Sequence, residues 1–243
     1  MSPIVLTLFV VGSVAGQVNA PAEPCPPDAA SVLADAEVAV LAGESSRSVD
    51  LLRRAYDDHR QCQVLDTAAL SLHGWDAARQ AAKVGGTDDA LAAAWKALSG
   101  LEPTPRSGVT PAAYAAAIVH AAIAASQDER EEMRVWIEGA RTLSSRLALI
   151  GEPAVWPLPI DLAEGQLWLS VDDYEQAEAA FGVALAGRES AAALAGLARA
   201  RDRRGNKAGA CAAFKRVAAV IPDLYRNGAI ATEARGYAIL CEP

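Results

Sequence analysis

The chain has 243 residues, of which 52% are hydrophobic, and a formal net charge of −8 at pH 7. Only 5% of the residues are aromatic and much of the apolar content is alanine, a composition that favours many closely packed helices over a sheet. The acidic balance argues against nonspecific nucleic-acid binding, which needs a basic face. We therefore predict an all-α fold and no nucleic-acid partner.

Residues 1–16 are predicted to form a secretory signal peptide. The stretch from Pro3 to Ala15 is largely apolar but shorter than the roughly 20 residues that a bilayer-spanning helix needs. The small residues Ala15 and Gly16 offer cleavage sites. No Lys or Arg precedes the run, so an apolar tail on a cytoplasmic protein is the alternative. We expect a periplasmic or secreted protein without a transmembrane span once this segment is removed.

A proline-rich leader, residues 17–28, precedes the predicted helical domain, residues 29–243. Asp28 is placed to cap the first helix. The pattern predicts helices over 29–41 and 48–60, divided at Gly43. In the second of these, Ser48 is a small residue and Leu52 is a large one four positions later.

Two further helical hairpins follow. The first has a predicted turn at Gly85-Gly86, Thr87 as a cap and Ala90 as the small residue; Ala94 stands where a large one is expected, so Trp95 is expected to supply the volume. The second begins at Thr110, a cap followed by proline, and its turn is placed at Asp128. Met133 and Ile137 occupy its small and large positions.

The last two hairpins carry the clearest pattern, with turns at Asp172 and Gly205. Ala177 is followed four residues later by Phe181, and Ala210 by Phe214. A small side chain lets two helices approach closely, and a ring one turn away fills the groove beside it. With Pro222 ending the last of these helices, the pattern resembles the tetratricopeptide (TPR) repeat of about 34 residues.

This resemblance implies a right-handed α-solenoid of about five TPR-like hairpins, in which a helix from about Asn227 to Leu240 is the C-terminal cap. The first helices of such hairpins line a concave groove that binds a protein or peptide. The groove-facing residues carried over from the family are Trp75, Arg79, Lys83, Gln166, Leu169, Arg199, Asp202 and Arg203. The basic pairs among them favour an acidic partner; the alternative is that they are solvated surface charges.

The four cysteines, an even number, fit an oxidising compartment and permit three pairings. Cys25 and Cys62 flank adjacent ends of the first predicted hairpin, which favours a disulfide between them. Cys211 and Cys241 meet if the closing helix runs back along the preceding one. Free buried thiols are the alternative for this second pair.

No motif in the chain carries recognisable chemistry. None of the three histidines belongs to a metal-binding pattern, and neither a phosphate-binding glycine loop nor a Gly-x-Ser-x-Gly motif is present. His120, on an apolar helix, is expected to pack or to hydrogen-bond between helices. We predict no cofactor, no metal and no enzyme activity. The resemblance to the TPR family implies a noncatalytic scaffold that binds a protein or peptide in the cell envelope or the secreted space.

Two alternatives belong to other classes. One is an accessory or catalytic helical domain of an envelope enzyme, which requires an acid such as Glu164 or Glu178 with a strongly perturbed pKa in a deep pocket. The other is a self-assembly module whose exposed ends dimerise.

Overall fold

The computed structural model describes residues 25, 27–59, 62–83, 87–101, 108–151 and 158–241. The predicted signal peptide, nearly all of the leader, the predicted Gly85-Gly86 turn and residues 102–107 and 152–157 lie outside the described residues. The part described is helical without strands. The helices are α1 (Ala29–Leu41), α2 (Ser45–Asp58), α3 (Gln63–Ala81), α4 (Asp88–Leu101), α5 (Pro111–Ser126), α6 (Arg130–Leu149), α7 (Ile160–Ser170), α8 (Tyr174–Gly187), α9 (Ala191–Arg203), α10 (Lys207–Val220) and α11 (Ala229–Leu240).

The first ten helices pack as five hairpins of consecutive neighbours. Hydrogen bonds from side chains fix several starts: Thr110 accepts from the Ala113 amide at 3.1 Å, and Thr87 accepts from the Ala90 amide at 3.3 Å. The predicted cap at Asp28 is wrong, because its side chain makes no capping hydrogen bond although it precedes α1. Helix α5 is buried on nearly all sides, which its uniformly apolar sequence predicts.

Four of the predicted turns end the first helix of a hairpin in the same way. Gly43, Asp128, Asp172 and Gly205 all have positive φ, between 58° and 85°. At each turn the amide of this residue bonds the carbonyl three residues back, and the next amide bonds the carbonyl five residues before it. This is the Schellman arrangement, which satisfies the last carbonyls of the helix.

The small and large residues of the second helices are buried as the pattern predicts in four hairpins. In α8, Ala177 and Phe181 are fully buried, and the ring of Phe181 lies against Gly165 of α7 and Gly196 of α9. Ser48 and Leu52, Met133 and Ile137, and Ala210 and Phe214 are likewise buried. Ser48 also donates a hydrogen bond to the Ala36 carbonyl at 2.9 Å, so it joins α2 to α1.

The prediction for α4 is wrong in register. Trp95 is 46% exposed and supplies no core volume, and Ala90 is only half-buried; the buried pair is Ala94 and Leu98. Adjacent helical positions differ by about 100° around the axis, so a residue next to a core position points elsewhere. Close contact with α3 comes instead from Gly74, where an added Cβ would lie 3.1 Å from the Ala97 methyl and 2.9 Å from Val119.

The five first helices, α1, α3, α5, α7 and α9, contact each other in a closed ring, because α1 touches both α3 and α9. An open solenoid would keep its first and last hairpins apart. The structure therefore does not confirm the right-handed solenoid that the resemblance implied; it confirms helical hairpins in consecutive contact.

We call the contact between the two ends of the chain the seam. Across it, Arg188 forms an ion pair with Glu37 at 2.5 Å, and Glu44 accepts a hydrogen bond from the Ala229 amide at 3.1 Å. The Ile230 side chain fills the space where Gly43 would carry a Cβ. Helix α11, predicted to be a simple cap, therefore also joins the ends.

Candidate functional site

A cavity of about 360 Å³ opens where α7, α9, α10 and α11 meet. We call it the end cavity. It is bounded mainly by charged and aromatic side chains, together with one leucine. Its lining residues are Leu169, Asp172, Tyr174, Arg199, Asp202, Arg203, Phe214, Glu233 and Tyr237.

The carboxylates of the end cavity are already engaged. Asp202 accepts hydrogen bonds from Lys207 and from the Tyr237 hydroxyl, and these bonds hold its pKa below the usual range. Glu233 binds Arg199 through two bonds, one of them 2.8 Å long. The Tyr174 hydroxyl donates to Asp172 at 2.5 Å. The acids therefore organise the walls of the cavity.

Two cations near the cavity are not neutralised in this way. Arg203 is exposed and forms no ion pair with any carboxylate in the described part of the chain. Arg79 lies with its guanidinium carbon 5.8 Å from the centre of the Trp75 ring. Desolvation lowers the pKa of Arg79, nearby Asp76 partly offsets this, and the charge of Arg199 lowers it further. An anion placed between Arg79 and Arg199 would relieve the repulsion between their positive charges.

Leu169, Arg199, Asp202 and Arg203, four of the eight predicted groove residues, line the end cavity. Arg79 is close enough to Arg199 for their charges to interact. Lys83 is exposed just beyond the end of α3, and the structure does not place it in the cavity.

One predicted groove residue, Trp75, is too deeply buried to face a partner. Trp75 is 1% exposed, so it cannot contact a bound molecule and instead packs under Arg79. Gln166 is half-buried, and its Oε1 atom has no hydrogen-bond partner among the described residues. Helix α3 packs against α1, α2, α4 and α5, so the large apolar side chain of Trp75 is buried. The longer side chain of Arg79 lies over it and is only half-buried.

Sequence reasoning missed the contribution of α11. Glu233 and Tyr237 lie four residues apart, hence on one face of that helix, and both reach the cavity. The spacing of four residues is the sequence signal for this shared face, but the resemblance to a capping helix gives it no binding role. In the sequence pattern, Phe214 is only the large residue of the last repeat, and no motif marks Tyr174.

Both predicted cysteine pairs are at bonding distance. The sulfur atoms of Cys25 and Cys62 lie 2.10 Å apart, and those of Cys211 and Cys241 lie 1.97 Å apart. The second pair joins the start of α10 to the end of α11, as an antiparallel return of the closing helix requires. It therefore fixes one wall of the end cavity.

The carboxylates named for the enzyme alternative are both in ion pairs. Glu178 is bound by Arg201 at 2.9 Å and by Arg204 at 2.5 Å, and these bonds lower its pKa, the opposite of what a general acid needs. Glu164 accepts a hydrogen bond from Arg141. In the part of the chain that the structure describes, no group of three or more His, Cys, Asp or Glu residues could hold a metal ion.

A smaller cavity of about 250 Å³ separates α2 from α3. Its polar lining includes Arg53, Tyr56, Asp66 and His73, and desolvation raises the pKa of Asp66. Elsewhere, His120 stacks on Trp136 at 4.0 Å between ring centres and meets the edge of Trp95 at 6.1 Å. Its packing between helices agrees with the prediction.

None of the described helices combines the length and the apolar character needed to cross a membrane. A scan against protein-family models and searches of curated proteins and of solved structures find no match to this chain. The function must therefore be argued from the site itself.

Proposed function

We propose that this chain is an exported, noncatalytic TPR-like helical protein that binds a protein or peptide partner through a carboxylate held in the end cavity. The observation that carries the proposal is the pairing pattern: the acids that line the cavity are engaged internally, whereas Arg203 has no ion-pair partner within the described residues. A carboxylate of the partner would supply the ion pair that Arg203 lacks.

The dimensions of the site favour a short element of the partner. The first and fifth hairpins are in contact, and the site is a cavity of about 360 Å³ lined by Arg203 rather than a long open groove. Such a volume suits one or two side chains or a chain terminus better than an extended peptide. Phe214 and Leu169 supply apolar walls for the carbon atoms of that element.

Export is supported by the cysteines and by the predicted signal peptide. Two cysteine pairs at bonding distance suit an oxidising compartment, where disulfides persist. We therefore place the protein in the periplasm or outside the cell, as a scaffold of an envelope or secreted assembly.

The test uses hexapeptide libraries that differ only at the C-terminus, free carboxylate against amide. Selection by the mature chain should enrich free carboxylates and acidic side chains. Arg203→Gln should weaken binding of a selected peptide about tenfold, because a charge-assisted hydrogen bond is lost. Fluorescence anisotropy of the labelled peptide measures the affinity.

Arg204→Gln is the matched control. The two residues are adjacent and lose the same charge, but Arg204 binds Glu178 and does not line the cavity. Its affinity should stay within about twofold of the parent chain. Equal loss in both variants, or selection without preference for a carboxylate, would contradict the proposed function.

A further inference from the structure

Helix α11 occupies the place of a first helix in a sixth hairpin. In each preceding junction the second helix of one hairpin contacts the first helix of the next, and α10 contacts α11 in the same manner. Helix α11 also touches α9, as successive first helices do. Among the described residues, α11 is the last helix.

An apolar groove of about 370 Å³ lies between α10 and α11. Alanines on both helices keep it open, because their methyl groups leave room for incoming side chains. The floor residues are Val217, Ala218, Ile221, Ala231, Ala234 and Ala238. The disulfide between Cys211 and Cys241 holds the two helices together at one end.

The rim of this groove is positively charged although the whole chain carries a formal charge of −8. Lys215, Arg226 and Arg235 line it, and no described carboxylate does. Arg226 pairs with exposed Asp223 at 2.7 Å, and Arg235 donates to the Arg226 carbonyl at 2.6 Å. Lys215 has no hydrogen-bond or ion-pair partner in the described part of the chain. Three cations around an apolar floor select an anionic amphipathic ligand.

We propose that this groove binds an amphipathic helix of another protein whose flanks are acidic. The bound helix packs on α10 and α11 together. The floor extends about two helical turns along α11, from Ala231 to Ala238, and about one turn along α10, from Val217 to Ile221. The longer wall, on the order of 10 Å, matches apolar residues at positions i, i+4 and i+7 of the partner. Glutamates or aspartates beside that stripe face Lys215 and Arg235. The site is separate from the end cavity, although Phe214 borders both.

The test is a selection from a displayed library of 14-residue peptides, with leucine fixed at i, i+4 and i+7 and the flanking positions drawn from Glu, Lys, Ser and Ala. The full mature chain is the bait. Glutamate should be enriched at the flanks. Lys215→Glu/Arg235→Glu should weaken a selected peptide at least tenfold, and Ala234→Trp should do the same by filling the groove.

Matched controls separate the groove from general effects. Ala219→Trp adds the same ring at an exposed position of α10 outside the groove, and Lys96→Glu/Arg146→Glu reverses two exposed charges elsewhere. Both should bind as the parent chain does. Ala238→Trp, at a half-buried position, replaces Ala234→Trp if the latter fails to show a native melting transition.

Three results would overturn the proposal. Enrichment of lysine or of no residue at the flanks would contradict the charge argument. Binding that survives both Ala234→Trp and Ala238→Trp would place the peptide elsewhere. Sedimentation of the parent chain as a dimer that Ala234→Trp disperses would show that a second copy is the occupant.

Discussion

At the scale of single residues, Phe181 is the clearest packing element. Its ring is fully buried and lies between the backbones of Gly165 and Gly196, on two different first helices. A Cβ at Gly196 would lie 2.2 Å from the Phe181 Cζ atom, and one at Gly165 would lie 2.7 Å from its Cδ1 atom. The glycines are therefore required by the ring, since a rigid aromatic side chain cannot yield by that amount.

Gly196→Ala should lower the free energy of unfolding by about 1–3 kcal/mol, because overpacking outweighs the better helix propensity of alanine. Gly182→Ala, on α8 with open space around it, should raise that free energy by up to about 1 kcal/mol. Chemical denaturation measures both. Adding Phe181→Leu to Gly196→Ala should recover part of the loss; if the double variant is no better than additive, the ring is not the cause.

Glu178 is a residue whose charge connects two hairpins. It lies on α8 and is bound by Arg201 and Arg204, which lie on and just after α9. The hydrogen bond from Arg201 lowers its pKa most, desolvation opposes this, and the hydrogen bond from Arg204 lowers the pKa further. A carboxyl group with a lowered folded-state pKa stabilises the fold above its ordinary pKa, and that stabilisation is lost as the pH falls.

Glu178→Gln should therefore reduce the free energy of unfolding by about 0.5–1 kcal/mol at pH 7, the size expected for a partly exposed ion-pair network. The difference from the parent chain should shrink as the pH falls below about 4 and Glu178 is protonated in both states. Denaturant titrations from pH 7 to pH 2 measure this. A difference that stays constant with pH would show that packing, not charge, is responsible.

At the scale of helices and turns, a left-handed residue follows four of the first helices, α1, α5, α7 and α9. Gly43 and Gly205 have φ of 85° and 81°, and Asp128 and Asp172 adopt the same conformation without a glycine. A non-glycine residue pays about 1–2 kcal/mol there, although aspartate tolerates it better than most. The turns are thus similar in backbone and differ in what surrounds them.

That difference gives a paired experiment. Gly205→Ala should cost about 1–2 kcal/mol from the backbone alone, because nothing lies within 4 Å of its added Cβ. Gly43→Ala should cost more, since its Cβ would lie 2.1 Å from the Ile230 Cδ1 atom across the seam. Thermal and denaturant unfolding compare the two. Equal losses would mean that Ile230 does not pack on Gly43.

The sequence predicts what local chemistry decides. The turns at Gly43, Asp128, Asp172 and Gly205 and the cap at Thr110 follow from residue types that favour helix ends and turns. The register of α4 was predicted wrongly, because Ala90, Ala94 and Ala97 are interchangeable in a pattern of small residues and only packing against Gly74 and Val119 chooses among them. Half of the predicted groove residues line the end cavity. Three of these four lie on α9, where the helical period determines which side chains share a face.

At the scale of the whole molecule, the main feature is the contact between the first and fifth hairpins. Glu37 and Arg188 are 151 positions apart in sequence, and no periodic pattern of residues encodes their meeting. Whether the first and fifth hairpins meet depends on small rotations that accumulate from one hairpin to the next. Each rotation depends on how the side chains of neighbouring hairpins pack. Closure converts an expected open groove into the end cavity, and α11 supplies one wall of that cavity while sealing the seam.

Closure can be measured directly by zero-length crosslinking of the Arg188→Lys variant. A carbodiimide joins a carboxylate to an amine only where the two are in contact. Mass spectrometry of the dilute monomer should find the peptide containing Glu37 bonded to the one containing position 188, and Glu37→Gln should abolish it. Absence of that product, with other carboxylate–lysine products formed normally, would show that the hairpins form an open stack and would contradict the ring.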